Sequence, residues 1–314
     1  MTDGTGADAK TETTAEEGAT ANPLAGVSLS FLGVGVMAEA MIAGLLKERL
    51  VAPAQIAGSH PRAGRREELA AKYGLRVFEN NRAAAAFAHD EDGAAGGDSA
   101  GASAQAAHDS IVVLAVKPQK LHGVLQELKD ALRPEQLVVS IIAGARLETI
   151  AGALLHPAVV RAMPNTPAQI GQGMTVWTTT AQVADAQARQ VRAMLGALGR
   201  EMRVAEERQI DMATALSATG PTYIFMLMEA LVDAGVHLGF SREVARELVV
   251  QTMLGATLFA QESHKHPAEL RNMVTSPGGT SAEAIYQMEK GSLRTVLSKA
   301  VYAAYQRAVA LGQK

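Results

Sequence analysis

The chain of 314 residues contains no cysteine, which excludes disulfide bonds, thiol catalysis and cysteine-ligated metal sites. Aromatic residues make up only 4%, and neither sign of charge dominates, since the formal net charge is −3. Five acidic residues and one lysine within residues 1–20 account for −4 of that charge, which leaves +1 for the remaining chain. No basic field of the kind that nucleic acid attracts is present, so we expect no nucleic-acid partner.

The sequence also lacks a segment with the pattern of an export signal or a membrane span. The apolar run 24–46 contains Glu39 and four glycines, and an acidic stretch precedes it where a signal peptide carries positive charge. A strand, a turn and a helix account for this run better. We therefore expect a protein without a membrane partner, located in the cytoplasm.

Two stretches are poor in the large apolar residues that a compact fold requires. Residues 1–26 are rich in Thr, Ala, Glu and Gly, and we predict that they form a disordered tail. Residues 83–107 include the sequence DEDGAAGGDSAGASAQAA, which predicts a low-complexity insertion that expands a surface loop.

Residues 27–206 alternate between apolar β-branched runs and helical stretches, a pattern typical of an α/β fold. Strands this apolar predict a parallel sheet covered on both faces. The predicted strands are 27–35, 55–60, 76–78, 110–116, 137–144 and 158–164. The expected fold is therefore an N-terminal Rossmann-like, doubly wound parallel sheet.

Residues 207–314 change to nearly continuous helix, which predicts an all-α C-terminal domain. Within it, segment 220–240 is apolar on almost every face and so requires cover on all sides. A partner subunit would provide this cover, and a central position among the helices of one monomer is the alternative.

The sequence GVGVMA at 33–38 follows the first predicted strand and opens the first helix. It fits the pattern G-x-G-x-x-G/A, in which Gly33 permits a tight turn, Gly35 lets a pyrophosphate approach the backbone and Ala38 packs the helix. The helix N-terminus then offers N–H groups to the phosphates. The pattern is weak in isolation, but this strand–turn–helix context predicts a dinucleotide site.

The end of the second strand indicates which nicotinamide cofactor binds. NAD sites place a carboxylate there to hold the ribose hydroxyls, whereas AGSHPRAGRR at 57–66 contains no acidic residue. Ser59, His60 and Arg62, with Arg65 and Arg66, are instead suited to a 2′-phosphate. We predict that NADPH is preferred, with NADH as the alternative cofactor. If the arginines have no role in cofactor binding, they are simply solvent-exposed residues at the start of a helix.

Together with this fingerprint, four further motifs resemble those of Δ1-pyrroline-5-carboxylate reductases. They are AVKP (115–118), MPNTP (163–167), SATGPTY (217–223) and SPGGTS (276–281). The resemblance runs from about Val27 to the C-terminus, and the region PAELRNMVTSPGGTSAEAIYQME is similar to the family signature. It implies reduction of the cyclic imine pyrroline-5-carboxylate to L-proline with NAD(P)H, the last step of proline biosynthesis.

Carried over by position, the resemblance implies three groups of site residues. The cofactor would contact Gly33, Val34, Gly35, Val36, Met37, Ala115, Val116, Lys117, Pro118 and Ala143, the last near the nicotinamide. Ser59, His60 and Asn81 would lie near the 2′-phosphate, and Glu207, Ser276, Gly278, Gly279 and Thr280 would face the substrate. The resemblance also implies an intertwined homodimer through the C-terminal helices, often assembled into a larger ring.

This chain departs from the family pattern in three places. Val36 stands where a polar residue is usual, and Ser281 stands where a threonine is usual. The acidic tail and the 83–107 expansion have no usual counterpart.

The loop SPGGTS lies between two predicted helices. Gly278 and Gly279 leave backbone N–H groups bare, and with the next helical turn they would form a nest for the substrate carboxylate. Thr280 and Glu283 fit a capping box, which leaves the Ser281 hydroxyl free to hydrogen-bond the imine nitrogen. We predict that Ser281 is the catalytic residue; a second capping role is the structural alternative.

Two other functions share parts of this pattern. A β-hydroxyacid or 6-phosphogluconate type dehydrogenase needs a lysine early in its second domain, because ketone reduction requires a proton donor. No lysine occurs between Lys129 and Lys265. A non-catalytic NADP-binding protein has no need of the loop SPGGTS. The eight histidines form no cluster at ligand spacing, so no metal is expected.

Overall fold

The computed structural model describes residues 21–87 and 109–313. The predicted disorder of residues 1–20 and most of the predicted insertion at 83–107 therefore lie outside the described residues. One eight-stranded sheet organises the first part of the chain, in the order β3-β2-β1-β4-β5-β6-β7-β8. Its strands are Ser28–Leu32 (β1), Ile56–Ser59 (β2), Arg76–Phe78 (β3), Ser110–Leu114 (β4), Leu137–Ser140 (β5), Val159–Met163 (β6), Gly173–Thr179 (β7) and Gly199–Arg203 (β8).

All neighbouring strands are parallel except β6 and β7, which are antiparallel. Every residue of β1, β4 and β5 is buried, because helices cover both faces of the sheet. Alternate residues of β4 point to opposite faces: Ile111 and Val113 join one core, and Val112 and Leu114 join the other. The predicted doubly wound sheet is confirmed.

Six helices flank this sheet: Val36–Lys47 (α1), Ala63–Tyr73 (α2), Asn81–Ala85 (α3), Leu121–Leu128 (α4), Leu147–Leu154 (α5) and Asp185–Gly196 (α6). The sequence predicted the first six strands but neither β7 nor β8. β8, with the sequence GREMR, lies at the sheet edge and is largely exposed, so it lacks the apolar run that marks a central strand.

Residues before the predicted tail boundary at residue 26 pack against the sheet. Leu24 is fully buried in the core beside β1. The Asn22 side chain donates to the Leu50 carbonyl at 2.7 Å, and Gln55 Nε2 donates to the carbonyls of Leu24 and Val27. These contacts attach residues 22–27 to the loop before β2. The single leucine was too weak a signal within a polar stretch.

Residues 208–311 are almost entirely helical, as predicted. The helices are Arg208–Ala213 (α7), Gly220–His237 (α8), Arg242–Ser263 (α9), Pro267–Met273 (α10), Thr280–Lys290 (α11) and Leu293–Leu311 (α12), with a π-helical turn at Thr214–Ala218. The Ser241 hydroxyl caps α9 by accepting from the Val244 N–H at 3.3 Å.

These helices bury very little within one chain. Between residues 220 and 313, Ala245 and Ala308 are the only buried residues. Large apolar side chains such as Phe225 (58% exposed), Leu238 and Val274 lie on the surface. By length and composition, the stretch Arg208–His237 could also cross a membrane. An apolar surface this extensive requires cover from outside the single chain.

Candidate active site

The glycine turn lies where β1 passes into α1. Gly33 has φ +85°, and a Cβ there would lie 2.6 Å from Val116 Cγ1, so only glycine fits. Gly35 is the N-cap of α1, and no heavy atom lies within 4 Å of the position that its Cβ would take. The next residue, Val36, is 66% exposed. The turn therefore presents open backbone at a helix N-terminus, which fits a pyrophosphate.

The loops after β4 and β5 adjoin this turn. The Ala115 N–H donates to the Leu32 carbonyl at 2.9 Å, and Val116 packs against Gly33. Strand order reverses between β1 and β4, so these loops lie at the topological switch point, where dinucleotides bind. A cleft of about 370 Å³ is lined by Pro118 and Ala143, and by Arg307 of α12.

Ser59 and Asn81 are brought together, but both hydrogen-bond within the protein. The buried Ser59 hydroxyl accepts from the Gly33 N–H at 3.0 Å and donates to Asn81 Oδ1 at 2.6 Å. The Asn81 backbone and side-chain amides donate to the Glu127 carboxylate at 2.8 and 2.7 Å. This series of hydrogen bonds, from Glu127 through Asn81 and Ser59 to the Gly33 N–H, stabilises the glycine turn.

The three arginines after β2 differ in their hydrogen bonds and ion pairs within the protein. Arg65 pairs with Glu39 and Glu68, and Arg66 donates to the carbonyls of His60 and Pro61 at 3.1 and 2.9 Å. Arg62 is exposed, and its guanidinium has no hydrogen bond or ion pair to another described residue. It is therefore the cation best placed to meet an anion at this edge.

His60 adjoins these arginines. Burial lowers the pKa of the imidazole below its usual value, and the charges of Arg62, Arg65 and Arg66 lower it further. Its Nδ1 accepts from the Arg62 N–H at 3.2 Å, which requires an unprotonated Nδ1. His60 is therefore a neutral group at neutral pH, able to hydrogen-bond but not to attract a phosphate by charge.

The motifs MPNTP and SATGPTY meet where the sheet passes into the helical part. Asn165 accepts from the Met174 N–H at 2.9 Å and donates to the Ser217 carbonyl at 3.3 Å. The Tyr223 hydroxyl donates to the Ala215 carbonyl at 2.9 Å, within the π-helical turn. Tyr223 thus hydrogen-bonds to the backbone of the π-helical turn, and such turns are frequent at functional sites.

Glu207 lies at the start of α7 and is held by two partners. Its Oε1 accepts from Arg161 Nη1 at 3.0 Å and from the Leu147 N–H at 2.8 Å. Arg161 Nη2 donates in turn to Asp211 Oδ1 at 2.6 Å. The sequence analysis missed Arg161 and Asp211. The signal was available, because an arginine inside the apolar strand AVVRAM needs a buried acidic partner.

The loop SPGGTS is exposed, and its geometry corrects two details of the sequence analysis. Gly279, not Thr280, is the N-cap of α11, and the predicted capping box does not form. The Glu283 carboxylate instead accepts from Gln287 Nε2 at 3.0 Å. The extended backbone of Gly279 (φ −80°, ψ 169°) places its carbonyl as the first helical acceptor, so the helix begins one residue earlier.

The predicted anion nest also loses one donor. The Gly279 N–H donates to the Ser276 carbonyl at 3.0 Å, which closes a tight turn with Gly278 at φ +69°. The N–H groups of Thr280 and Ser281, in the first turn of α11, have no helical acceptor. The donors available to a carboxylate are therefore these two rather than Gly279. Ser281 itself is half-buried.

Comparison with known proteins assigns the two parts of the chain. Residues 207–311 match the family model for pyrroline-5-carboxylate reductase dimerisation, and residues 28–144 match the model described as NADP oxidoreductase, coenzyme F420-dependent. The exposed apolar helices thus belong to a dimerisation region. Together with the glycine turn at the switch point, these findings define an NADP-dependent oxidoreductase with a helical dimerisation domain.

Relatives that align along most of the chain identify the family within this class of oxidoreductases. Pyrroline-5-carboxylate reductase of Pseudomonas aeruginosa is 40% identical over 91% of this chain and 97% of its own. The structure of a pyrroline-5-carboxylate reductase from Coxiella burnetii has a TM-score of 0.77 at 34% identity, covering 91% of this chain and 99% of that one. The Plasmodium falciparum pyrroline carboxylate reductase with NADP bound has the same TM-score at 27% identity, covering 91% and 98%. The chain belongs to the pyrroline-5-carboxylate reductase family.

Proposed function

We propose that this protein reduces Δ1-pyrroline-5-carboxylate to L-proline with NADPH, the last step of proline biosynthesis. The observation that carries the proposal is the open glycine turn at the β1–β4 switch point, joined in one chain to the helical part with the loop SPGGTS. Relatives of this name align along nearly their whole length. The absence of a lysine between Lys129 and Lys265 disfavours the hydroxyacid dehydrogenase alternative.

NADPH supplies a hydride when it is bound. We assign its pyrophosphate to Gly33–Met37, its nicotinamide half to Ala115–Pro118 and Ala143, and its 2′-phosphate to the edge after β2. At that edge Arg62 provides the charge and His60 a neutral hydrogen-bonding group, whereas Ser59 and Asn81 act by holding the Gly33 turn. No acidic residue occurs in 57–66 to repel the phosphate.

The substrate is assigned to the start of α11. Its carboxylate would accept from the first-turn N–H groups of Thr280 and Ser281, with Ser276, Gly278 and Gly279 shaping the turn. The Ser281 hydroxyl would hydrogen-bond the ring nitrogen and orient the adjacent carbon. A protonated imine is already electrophilic, so this step requires orientation rather than a strong acid.

We further propose that residues 27–206 form the dinucleotide-binding domain and 207–314 the substrate and dimerisation domain. The protein would assemble as a homodimer through the helices 208–311, with a larger ring of dimers as the next level of assembly. A cytoplasmic location is consistent with these soluble substrates. The uncovered apolar side chains of α8 and α9 support the dimer.

The decisive experiment measures oxidation of NADPH by the purified protein with and without pyrroline-5-carboxylate, together with L-proline formation. We expect substrate-dependent oxidation, and a kcat/KM for NADPH higher than for NADH because Arg62 has no paired carboxylate. NADPH binding without turnover would favour a non-catalytic role. Equal kcat/KM values for NADPH and NADH would contradict the role assigned to Arg62 but not the proposed reductase activity.

A further inference from the structure

A buried ion cluster joins the sheet to the helical part of the chain. Arg161, in β6, has a side chain only 2% exposed. It pairs with Glu207 at 3.0 Å and with Asp211 at 2.6 Å, and both carboxylates belong to the start of the helical part. A buried guanidinium without these partners would be costly, so the three side chains constrain one another.

Glu207 differs from Asp211 in one respect. Its Oε1 also accepts from the Leu147 N–H at 2.8 Å, the first residue of α5. That N–H is one of the helix donors that lack an intrahelical acceptor. A single oxygen thus connects Arg161 to the beginning of α5, and the position of α5 depends on where Arg161 holds the carboxylate.

The segment immediately before α5 carries Ala143 and Gly144. It follows β5, which belongs to the second mononucleotide half of the sheet, the half that receives the nicotinamide nucleotide. Gly144 has φ +77°, and a Cβ there would lie 2.8 Å from Leu311 at the end of α12. Residues 143–146 are therefore held on one side by the end of α12 and on the other by Glu207 through Leu147.

We propose that Glu207 is a positioning residue that fixes residues 143–146 against the nicotinamide half of the cofactor, with Arg161 fixing its carboxylate. The role rests on the proposed reductase activity. The sequence analysis expected Glu207 to face the substrate; here the residue acts on the reaction through the backbone of 143–147. Hydride transfer depends steeply on this placement, because a displacement of about 1 Å costs about 100-fold in rate.

The chain offers a matched control. Asp211→Asn weakens the same Arg161 cluster without touching α5, whereas Glu207→Asp keeps the charge but is one methylene too short to reach both Arg161 and Leu147 N. Glu207→Gln keeps an oxygen for the Leu147 N–H and serves as the conservative variant. Each folded variant is compared with the wild type for melting temperature, kcat, and binding of NADPH and of 2′,5′-ADP, a fragment without the nicotinamide.

We expect Glu207→Asp to lower kcat about 10- to 100-fold. Its affinity for 2′,5′-ADP should stay unchanged, while the fluorescence of bound NADPH should shift because the nicotinamide environment changes. Glu207→Gln should recover most of kcat. Asp211→Asn keeps Glu207, Arg161 and the Leu147 N–H in place, so it should lower the melting temperature while reducing kcat and shifting the fluorescence of bound NADPH less than Glu207→Asp does.

Two results would overturn the proposal: wild-type kcat and NADPH fluorescence in folded Glu207→Asp, or equal losses of kcat in Glu207→Asp and Asp211→Asn. The binding and fluorescence measurements need no turnover. If the wild type failed to reduce pyrroline-5-carboxylate, they would still decide whether Glu207 positions the nicotinamide side, so the two proposals can fail separately.

Discussion

The hydroxyl of Ser281 lies in the first turn of α11, two residues after the N-cap Gly279. Because Gly279 begins the helix with its backbone, Ser281 does not cap α11, and this removes the main structural explanation for a hydroxyl at this position. Thr280 precedes it as the first helical residue, and it likewise makes no capping hydrogen bond. The pair therefore presents two N–H groups and two hydroxyls at one helix end.

We expect Ser281→Ala to lower kcat/KM roughly 30- to 200-fold, because losing a hydrogen bond to the charged reacting nitrogen costs about 2–3 kcal/mol. NADPH affinity and the melting temperature should stay near those of the wild type. Ser281→Thr keeps the hydroxyl and should stay active. Steady-state kinetics and a thermal melt check both. Normal turnover in a Ser281→Ala protein that melts earlier would assign the hydroxyl a structural role.

At the scale of elements, an ion cluster ties α1 to α2 beside the cofactor edge. Glu39 of α1 accepts from Lys72 at 2.8 Å and from Tyr73 at 2.9 Å, and it pairs with Arg65. Partial burial alone would raise the pKa of the Glu39 carboxyl, but these three hydrogen bonds together hold it below its ordinary value of 4.5. The cluster also occupies Arg65, so that Arg62 is the arginine of 57–66 whose guanidinium contacts no other described residue.

Since the pKa of Glu39 is lower in the folded than in the unfolded protein, its contribution to stability is present above pH 4.5 and is lost as pH falls through the folded value. We expect Glu39→Gln to melt below the wild type at neutral pH, with the difference shrinking as pH falls below about 4.5. Thermal melts across this range check it, with Glu68→Gln as the control, since Glu68 is more exposed and contacts Arg65 alone. A constant difference at all pH values would contradict the linkage.

At the scale of the whole molecule, the C-terminal helices of a single chain bury very few of their side chains. Phe225 of α8 is 58% exposed, although the sheet domain of the same chain buries nearly all of its large apolar side chains. The match to a dimerisation family model covers this part of the chain. A symmetric interface would bury each exposed residue twice, which multiplies the effect of any one substitution.

We expect Phe225→Glu to raise the dissociation constant of the dimer about 100-fold or more, because burying one phenylalanine contributes about 1.5–3 kcal/mol and the interface holds two copies. Light scattering after gel filtration would show the smaller species. Ile170→Glu is the matched control: Ile170 is 73% exposed but lies in the sheet domain. An unchanged mass for Phe225→Glu would place the interface elsewhere.

Local patterns in the sequence were enough for the sheet core, the glycine turn and the succession of helices. Five of the six predicted strands are marked by apolar runs because both faces of a parallel sheet are buried there. Gly33 is marked because only glycine tolerates its backbone and its contact with Val116. These features depend on neighbours in the chain or on burial itself. The sequence did not predict the edge strand β8, because this strand is polar and exposed.

Tertiary structure alone decided which polar groups meet. Ser59 and Asn81 lie 22 residues apart and form one hydrogen bond, and Arg161 meets Glu207 from 46 residues away. No periodicity records such pairings, because they depend on the order in which strands join the sheet. The same holds for the start of α11, where the Gly279 backbone, and not the Thr280 hydroxyl, begins the helix. Sequence thus determined the site's residue types, and the fold determined which of them remain free to act.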